Sequence, residues 1–503
     1  MTQAELAIAP SCEAKYLHDK LETIESFLSF CRGGSAPAWP LEVFLEVSNV
    51  CDLKCAMCTY FSAINPKRLM AMKQSARGFF DLDATGASIE EVLRHALLIH
   101  CYGFGEPTVH PQFREFLSYA LEFEAMVDFF TNGMHLTDDL AAFLVDHRVF
   151  RIAVSFSGST KQEYEAVYLG GQFERVLEGI RRVSDYKKAA GAEYPIIAIN
   201  SIAFHHHVAN LERFVDLMAD HGANRVDLKQ LIPYREIPEL YSHASILRPW
   251  VEGEILARAE RRAAARGIVL HAADYATNAV RTEEEYRARI EQWRDALSST
   301  GRERFPEAGI EDFRVLAKST VYDRPDLDRP SPAPAAVPRS GNALRLLHEI
   351  GSIPTAKDGR AFYCMEPFKT LYVRRSGEVK PCCFGHDDAA LLGNVRETPA
   401  TEVWRGPHFD TVRKAIVNGE YPRKLCGTCL MNGMSPASHE ANYHVRRYEG
   451  WWRDRFGRAP LGEAGLTPWA EPFSELYDGD VVVNRLFEQG SPLVDVNGAD
   501  ELL

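Results

Sequence analysis

Residues 51–58 read CDLKCAMC and carry three cysteines, Cys51, Cys55 and Cys58, at spacings of four and three. They directly follow residues 41–50, where apolar and polar side chains alternate as in a half-buried strand. Three thiolates on one short loop can bind three irons of a cubane and leave the fourth iron without a protein ligand. Such an open iron is what a substrate-binding cluster needs. A zinc site or buried structural cysteines are the alternatives, although zinc usually takes four ligands and no fourth cysteine lies near in the sequence.

The sequence after this loop alternates apolar strand patterns with helical patterns. Helices are predicted, for example, at 173–183 and 211–221. Repeated strand–helix units predict an α/β fold with a parallel sheet or barrel, whose ligand site lies at the carboxyl ends of the strands. The predicted strands after the first are 97–102, 126–130, 150–156, 196–203 and 226–232.

The cysteine loop resembles the signature of the radical SAM enzymes, C-x3-C-x-φ-C, which follows the first strand of a partial (β/α)6 TIM-like barrel. Cys51, Cys55, Met57 and Cys58 match it. The resemblance implies that the three cysteines hold a [4Fe–4S] cluster, that the open iron binds S-adenosylmethionine (SAM), and that Met57 lies at the cofactor.

Gly103-Phe104-Gly105-Glu106-Pro107, after the second predicted strand, is similar to the glycine-rich GGEP segment of that family. In the family this backbone receives the amino group of SAM, and glycines allow the close approach that this contact requires. The resemblance therefore implies cofactor contacts at Gly103, Gly105 and Glu106. It also implies contacts at Ser155 on the fourth strand, to the SAM carboxylate or ribose, and at Asn200 on the fifth strand, to the ribose.

A second group of cysteines lies near the carboxyl end: Cys364, Cys382, Cys426 and Cys429. A hairpin turning at Ser376-Gly377 would bring Cys364 and Cys382 together, and the CxxC pair would complete the site. Four thiolates saturate a [4Fe–4S] cluster, although structural zinc uses similar spacings.

This region resembles the SPASM/twitch auxiliary domain, a small C-terminal α+β iron–sulfur unit. No cysteine follows Cys429, so the likeness is to the variety with a single auxiliary cluster. Cys383, adjacent to Cys382, is an alternative ligand. The expected cofactors are therefore SAM and two [4Fe–4S] clusters, one that binds SAM and one auxiliary.

The resemblance implies a radical SAM oxidoreductase. A flavodoxin- or ferredoxin-type donor supplies an electron, SAM is cleaved to a 5′-deoxyadenosyl radical, and this radical removes a hydrogen atom from the substrate. A saturated auxiliary cluster has no iron free for substrate, so we expect it to carry an electron, which suits an oxidation. A purely structural role for that cluster is the alternative.

Residues 1–40 contain mostly one predicted helix, whereas peptide-modifying members of the SPASM group often carry a larger N-terminal peptide-binding module. This difference favours a small polar substrate, such as a sugar, an aminocyclitol or a related natural-product intermediate, over a peptide. The alternatives are a peptide-modifying enzyme, a redox-neutral epimerase with Cys101 or Cys383 as hydrogen donor, and a non-enzymatic iron–sulfur electron carrier.

The amino-acid composition bears on which classes of partner the protein binds. The chain has 57 Lys and Arg against 70 Asp and Glu, a net charge of −13, which disfavours nucleic-acid binding. We find no signal peptide and no apolar run long enough to span a membrane, and eleven cysteines in 503 residues are too few for a disulfide scaffold. We therefore expect a cytoplasmic protein with no membrane partner.

The predicted organisation has five parts. They are an N-terminal helix and linker (1–40), the partial barrel (41–274), a mostly helical insertion with a proline-rich tether (275–361), the auxiliary cluster domain (362–432) and a C-terminal tail (433–503).

Overall fold

The structure of the protein is a computed structural model. The predicted insertion at 275–361 and the residues Cys383, Cys426 and Cys429 lie outside the residues it describes. The described residues are 15–31, 35–58, 60–62, 77–204, 207–208, 210–230, 249–271, 364–382, 391–417, 421–422, 433–434, 437–457, 483–484 and 493–494.

A ten-stranded sheet organises the described residues, in the order β10-β9-β8-β1-β2-β3-β4-β5-β6-β7. All neighbours from β8 through β1 to β7 are parallel, and β9 and β10 are antiparallel to their neighbours. The α/β fold with a partial TIM-like barrel is confirmed. The strands are β1 (Glu42–Leu45), β2 (Leu98–His100), β3 (Met126–Thr131), β4 (Arg151–Ser155), β5 (Ile196–Ala203), β6 (Arg225–Gln230), β7 (Val269–His271), β8 (Thr370–Val373), β9 (Glu378–Lys380) and β10 (Gly393–Asn394).

Side chains cap the first turn of some of the helices. Thr137 accepts a hydrogen bond from the Leu140 amide, and Thr160 forms a reciprocal capping box with Glu163. No helix in the described part of the chain is long and apolar enough to cross a bilayer. The helices are α1 (Leu17–Cys31), α2 (Leu82–His95), α3 (Phe113–Leu121), α4 (Asp138–Asp146), α5 (Lys161–Val167), α6 (Phe173–Ala189), α7 (Leu211–Asp220), α8 (Pro249–Arg266), α9 (Glu366–Lys369), α10 (Ala400–Trp404), α11 (Pro407–Val417) and α12 (Ala437–Phe456).

The first strand is shorter than the predicted 41–50, because β1 ends at Leu45. From Ser48 onward the backbone hydrogen-bonds to the loop after β2. The Ser48 carbonyl accepts the Gly105 amide at 3.0 Å, and the Val50 carbonyl accepts the Glu106 amide at 2.8 Å. The alternating pattern therefore continues past the strand into a segment that pairs with the loop after β2.

The hairpin β8–β9 turns at the predicted place, where Gly377 has a φ of +92°. It does not stand apart from the barrel. β8 pairs parallel with β1 along its full length, so Glu42 faces Thr370 and Phe44 faces Tyr372. The sequence placed this hairpin in a separate auxiliary domain, whereas the structure adds it to the edge of the barrel sheet.

Side chains alternate between the two faces of this sheet. We call the inner face the one that bears Phe44, His100 and Asp128, because these neighbours touch each other: Phe44 stacks on His100 at 3.9 Å between ring centroids, and His100 contacts Asp128. The outer face is apolar and packs on the helices, for example through Val43 and Ile99, which are completely buried.

The first and last described long helices, α1 and α12, pack on each other at the end of the barrel where the strands begin. Glu124, just before β3, joins them. Its carboxylate accepts the Lys15 and Tyr16 amides at 3.0 and 2.9 Å, and its carbonyl accepts the Tyr448 hydroxyl at 2.9 Å. Trp451 and Trp452 on α12 are buried, so this part of the predicted tail packs on the barrel.

His100 gives the fold a pH dependence. Burial lowers its pKa, but the Asp128 and Glu42 carboxylates outweigh burial and raise the pKa to about 9. Because the folded pKa is above the ordinary value of 6.5, this contribution to stability is fully present below pH 6.5 and is lost as the pH rises through about 9. We expect the thermal unfolding midpoint of the anaerobic holoprotein to fall between pH 7 and about 9.5.

His100→Gln should reduce that fall, because glutamine does not titrate in this range. A variant whose midpoint falls over this range as steeply as the wild type would contradict this assignment.

Candidate active site

The loop with the three cysteines leaves β1 at the carboxyl end of the barrel and is held by its backbone. The Lys54 amide donates to the Leu169 carbonyl at 2.9 Å, and the Ala56 amide donates to the Val167 carbonyl at 2.8 Å, at the end of α5. These bonds fix the loop without using any cysteine side chain. Cys51, Cys55 and Cys58 are half-buried free thiols.

Burial makes these thiols poor thiolates on their own. It raises the pKa of Cys51 to about 12 and that of Cys58 above its ordinary value. The pKa of Cys55 lies well above its ordinary value, because of burial first and then the neighbouring charges of Cys58 and Cys51. Three thiolates at this place require a strongly positive partner to offset burial and mutual repulsion, and iron is such a partner.

No three His, Cys, Asp or Glu side chains in the described ranges are arranged to bind one metal ion together. A cubane does not require that arrangement, because each cysteine binds a different iron at its own corner. The loop offers three soft sulfur ligands, and the sequence nearby offers no fourth. This set of ligands therefore fits the predicted cluster.

The loop after β2 packs directly against the segment after β1. A Cβ on Gly105 would lie 2.5 Å from both the Ser48 and the Val50 carbonyl oxygens, and a Cβ on Gly103 would overlap the Glu46 side chain. Both glycines are therefore required by packing within the chain, whatever binds above them. Their predicted backbone contacts to SAM stay predictions.

Glu106 is buried, and the protein occupies its carboxylate fully. Oε1 accepts the Thr108 amide at 3.2 Å and the Thr108 and Thr131 hydroxyls at 2.5 and 2.7 Å, and Oε2 accepts the Asn132 amide at 2.6 Å. Burial raises its pKa, and these hydrogen bonds act against the rise. The side chain thus joins the loops after β2 and β3, so a cofactor contact at this residue would have to use its backbone.

The loop after β3 also reaches the cysteine loop. The Asn132 side-chain amide donates to Asp52 Oδ1 at 2.7 Å, and His135 Nε2 lies 2.9 Å from Asp52 Oδ2. Asp52, between the first two cysteines, therefore fixes the cysteine loop to a second loop. Asp52 and Glu46 were not among the site residues predicted from the sequence. The available signals were the position of Asp52 inside the cysteine motif and that of Glu46 in the alternating pattern of the first strand.

Ser155 and Asn200 are neighbours on β4 and β5, paired in register on the inner face. Both are half-buried, and the Asn200 side-chain oxygen is buried without a hydrogen-bond partner. A buried orphaned acceptor usually has a partner that the protein itself does not provide. This is consistent with the predicted contacts to SAM, which remain predictions for both residues. Met57 is half-buried against the core.

Cys101, a candidate hydrogen donor for an epimerase, is completely buried in the hydrophobic core. It lies between His100 and Tyr102, whose rings face the inner side, so its own side chain points to the outer face. This position does not suit hydrogen transfer to a substrate inside the barrel. The second candidate, Cys383, lies outside the described residues.

The second cysteine group is described in part. Cys364 and Cys382, on either side of the β8–β9 hairpin, are half-buried and packed against the core. The segment that carries Cys426 and Cys429 runs between two short strands, β11 (Tyr421–Pro422) and β12 (Gly433–Met434). The tail pairs with both of them through β13 (Val483–Asn484) and β14 (Leu493–Val494).

Comparison with known proteins finds two family matches, one over each region that carries a cysteine group. Residues 45–191 match the radical SAM superfamily, and residues 364–430 match the SPASM iron–sulfur cluster-binding domain. These two domains imply SAM, a [4Fe–4S] cluster that binds it, and auxiliary iron–sulfur cluster binding.

The curated relatives share a low percentage of identical residues with this chain. Mycofactocin maturase MftC of Mycobacterium tuberculosis is 26% identical over 184 residues, which are 37% of this chain and 43% of that protein. PqqA peptide cyclase of Ruegeria pomeroyi is 28% identical over 207 residues, 39% of this chain and 50% of that protein. The chain spans about half the length of these relatives. The crystal structure of Streptococcus suis SuiB is 12% identical, with a TM-score of 0.47 over 81% of this chain and 75% of that one.

These relatives correct the substrate prediction. The preference for a small polar molecule over a peptide was wrong, since the relatives include a cyclase named for its peptide substrate. The prediction depended on the shortness of residues 1–40. That length does not decide the substrate class, because a peptide can also be bound along a sheet edge or a groove formed by other elements.

Replacing Gly105 should disrupt the site. Gly105→Ala would force the loops after β1 and β2 apart, because the new Cβ meets two carbonyl oxygens that have no room to move. We expect loss of the iron of the first cluster, measured by iron content and by the EPR signal that responds to SAM.

The matched control is Gly86→Ala in α2, where the new Cβ would lie 3.4 Å from its nearest neighbour and alanine favours the helix. Normal cluster loading in Gly105→Ala would refute the packing requirement.

Glu106→Gln tests whether this carboxylate has a structural role. The new amide would place donor hydrogens against groups that are themselves donors, so we expect a loss of about 1–3 kcal/mol in the free energy of unfolding. Glu178→Gln, at an exposed site on α6, serves as the control. Chemical denaturation measures the change in stability, and SAM titration measures any change in cofactor binding. Unchanged stability with lost SAM binding would show instead that the carboxylate is a cofactor ligand.

Proposed function

Because the chain belongs to the radical SAM superfamily and carries an iron–sulfur SPASM domain, we propose that it is a radical SAM enzyme that modifies a peptide. The observation that carries the peptide assignment is the similarity to PqqA peptide cyclase. The maturase MftC, of similar identity and coverage, supports a role in building a natural product.

The proposed cofactor site lies at the carboxyl ends of β1 to β5. Cys51, Cys55 and Cys58 would hold the first cluster, which when bound to SAM supplies the 5′-deoxyadenosyl radical that removes a hydrogen atom. The carbonyls of the loop after β2 would bind the amino group of SAM, because the Gly105 and Glu106 amides already donate within the chain. Ser155 and Asn200 would bind other polar groups of SAM from the inner face.

The remaining residues of the site position these ligands. Glu106 holds the loops after β2 and β3 together through four hydrogen bonds, and Asp52 ties the cysteine loop to the second of them. Aromatic side chains close the inner face below: the Tyr102 and Phe130 ring centroids lie 4.5 Å apart. Such a surface excludes water from a reactive carbon centre.

We further propose that the modification is an oxidation. Forming a new bond within a peptide by removing two hydrogens also removes two electrons. The radical takes the first with a hydrogen atom, and the auxiliary cluster would accept the second while a proton leaves. Cys364, Cys382, Cys426 and Cys429 would hold that cluster, and a flavodoxin- or ferredoxin-type protein would exchange electrons with the enzyme.

The test is anaerobic turnover of the reconstituted holoenzyme with SAM, a reductant and short peptides encoded next to its gene. We expect one peptide to raise 5′-deoxyadenosine formation and to lose the mass of two hydrogens. Cys55→Ala should abolish both, because the first cluster then lacks a ligand.

Cys101→Ala is the matched control, because this thiol lies in the core, away from the inner face. It should retain both products; loss of turnover with intact clusters would favour epimerisation. The proposal is contradicted if no peptide is changed while a small molecule alone stimulates SAM cleavage.

A further inference from the structure

A row of charged side chains crosses the inner face at the end where the strands begin. Arg151 Nε donates to Asp128 Oδ2 at 2.9 Å, Asp128 Oδ1 lies 2.6 Å from His100 Nδ1, and His100 Nε2 lies 3.8 Å from Glu42 Oε2. Lys369 Nζ completes the row at 3.7 Å from the same Glu42 oxygen. We call these five residues the charged row; positive and negative groups alternate along it.

The charged row is shielded from solvent. Asp128 is 0%, His100 4% and Glu42 7% exposed. The Phe44 ring covers the His100 imidazole at 3.9 Å between centroids, and the Tyr102 ring meets it edge-on at 5.5 Å. With little water nearby, charges in this row act on their surroundings over longer distances than surface charges do.

One end of the charged row lies on the segment between the two described auxiliary cysteines. Lys369 is in α9, the short helix between Cys364 and β8, and the Thr370 hydroxyl donates to Glu42 Oε2 at 3.3 Å. In the β8–β9 hairpin Tyr372 faces Lys380, where β9 ends, and Cys382 follows two residues later. Cys364 and Cys382 therefore lie at the open end of the hairpin, where Lys369 and Thr370 meet Glu42.

We propose that the charged row sets the reduction potential of the auxiliary cluster, with the His100 imidazolium favouring the reduced cluster and the Glu42 carboxylate opposing reduction. Reduction adds one negative charge to a cluster, and net charge and nearby polar groups are among the factors that fix its potential. A positive neighbour stabilises the added electron, and a negative neighbour destabilises it.

His100 carries its charge at neutral pH because of the groups that surround it. Glu42 on β1 and Asp128 on β3 hold its proton, and Arg151 on β4 and Lys369 on α9 lie one step further along the row. The Tyr102 ring, two residues after β2, meets the His100 ring edge-on, and Tyr372 on β8 stacks on Phe44. Burial opposes the charge, but the two carboxylates raise the pKa of His100 to about 9. The charge is therefore constant over the range in which the enzyme would be assayed.

The experiment is an EPR-monitored redox titration of the holoenzyme at pH 7, without substrate, following the cluster signal that SAM does not alter. His100→Gln should lower the potential and Glu42→Gln should raise it. Each should change the reduced-to-oxidised ratio at a fixed solution potential by about tenfold, which is about 59 mV for one electron. Potential shifts of opposite sign in the two variants identify an electrostatic effect, because local distortion of the structure does not depend on the sign of the charge that is removed.

His207→Gln is the control, because His207 is also buried in the barrel but hydrogen-bonds Ser201 and the Gly158 amide instead of carboxylates. It should leave the potential unchanged. If His100→Gln does not retain the cluster, Lys369→Gln carries the same test and should also lower the potential. Shifts of the same sign in His100→Gln and Glu42→Gln, or no shift with intact clusters, would overturn the proposal. The potential is measured without a peptide. The titration can therefore fail while the peptide assignment holds, and the turnover assay can fail while the effect on the potential holds.

Discussion

Three half-buried thiols on one short loop impose the main constraint on this molecule. Burial and mutual repulsion oppose the thiolate form at Cys51, Cys55 and Cys58, so thiolates there are favourable only with a positive partner bound to them. The protein holds the loop by its backbone, through Lys54 and Ala56. The neighbouring loops then pack around that fixed loop.

The loops around the cysteines are locked by polar contacts that the protein makes with itself. Glu106 accepts hydrogen bonds from the loops after β2 and β3, and Asp52 accepts one from Asn132 in the loop after β3. Gly105 lies so close to two carbonyl oxygens that no side chain fits there. These contacts would pre-position backbone groups around the predicted cofactor, which is how a protein contributes to chemistry that its cofactor performs. The auxiliary hairpin is held by the same sheet, since β8 pairs with β1, the strand that leads to the cysteine loop.

Local patterns in the sequence predicted much of this. The alternation of strands and helices and the turn at Gly377 depend on neighbouring residues, and the structure agrees with them in kind. The cluster ligands predicted from the cysteine spacing stay predictions. Contacts between distant residues were not predictable in the same way. That β8 joins the barrel sheet, that β1 ends at Leu45 and that Cys101 faces the core each depend on long-range pairing. The substrate class was predicted wrongly because it was inferred from the length of one segment and not from a binding surface.

The central claim is that the loop at residues 51–58 holds a cubane with one iron free for SAM. Mössbauer spectroscopy of the ⁵⁷Fe-reconstituted holoenzyme, recorded with and without SAM, tests it most directly. The account predicts that SAM changes the spectrum of one iron of the first cluster and leaves its other three irons, and the auxiliary cluster, as they were. A spectrum that SAM does not change, or zinc in place of iron at these cysteines, would contradict it.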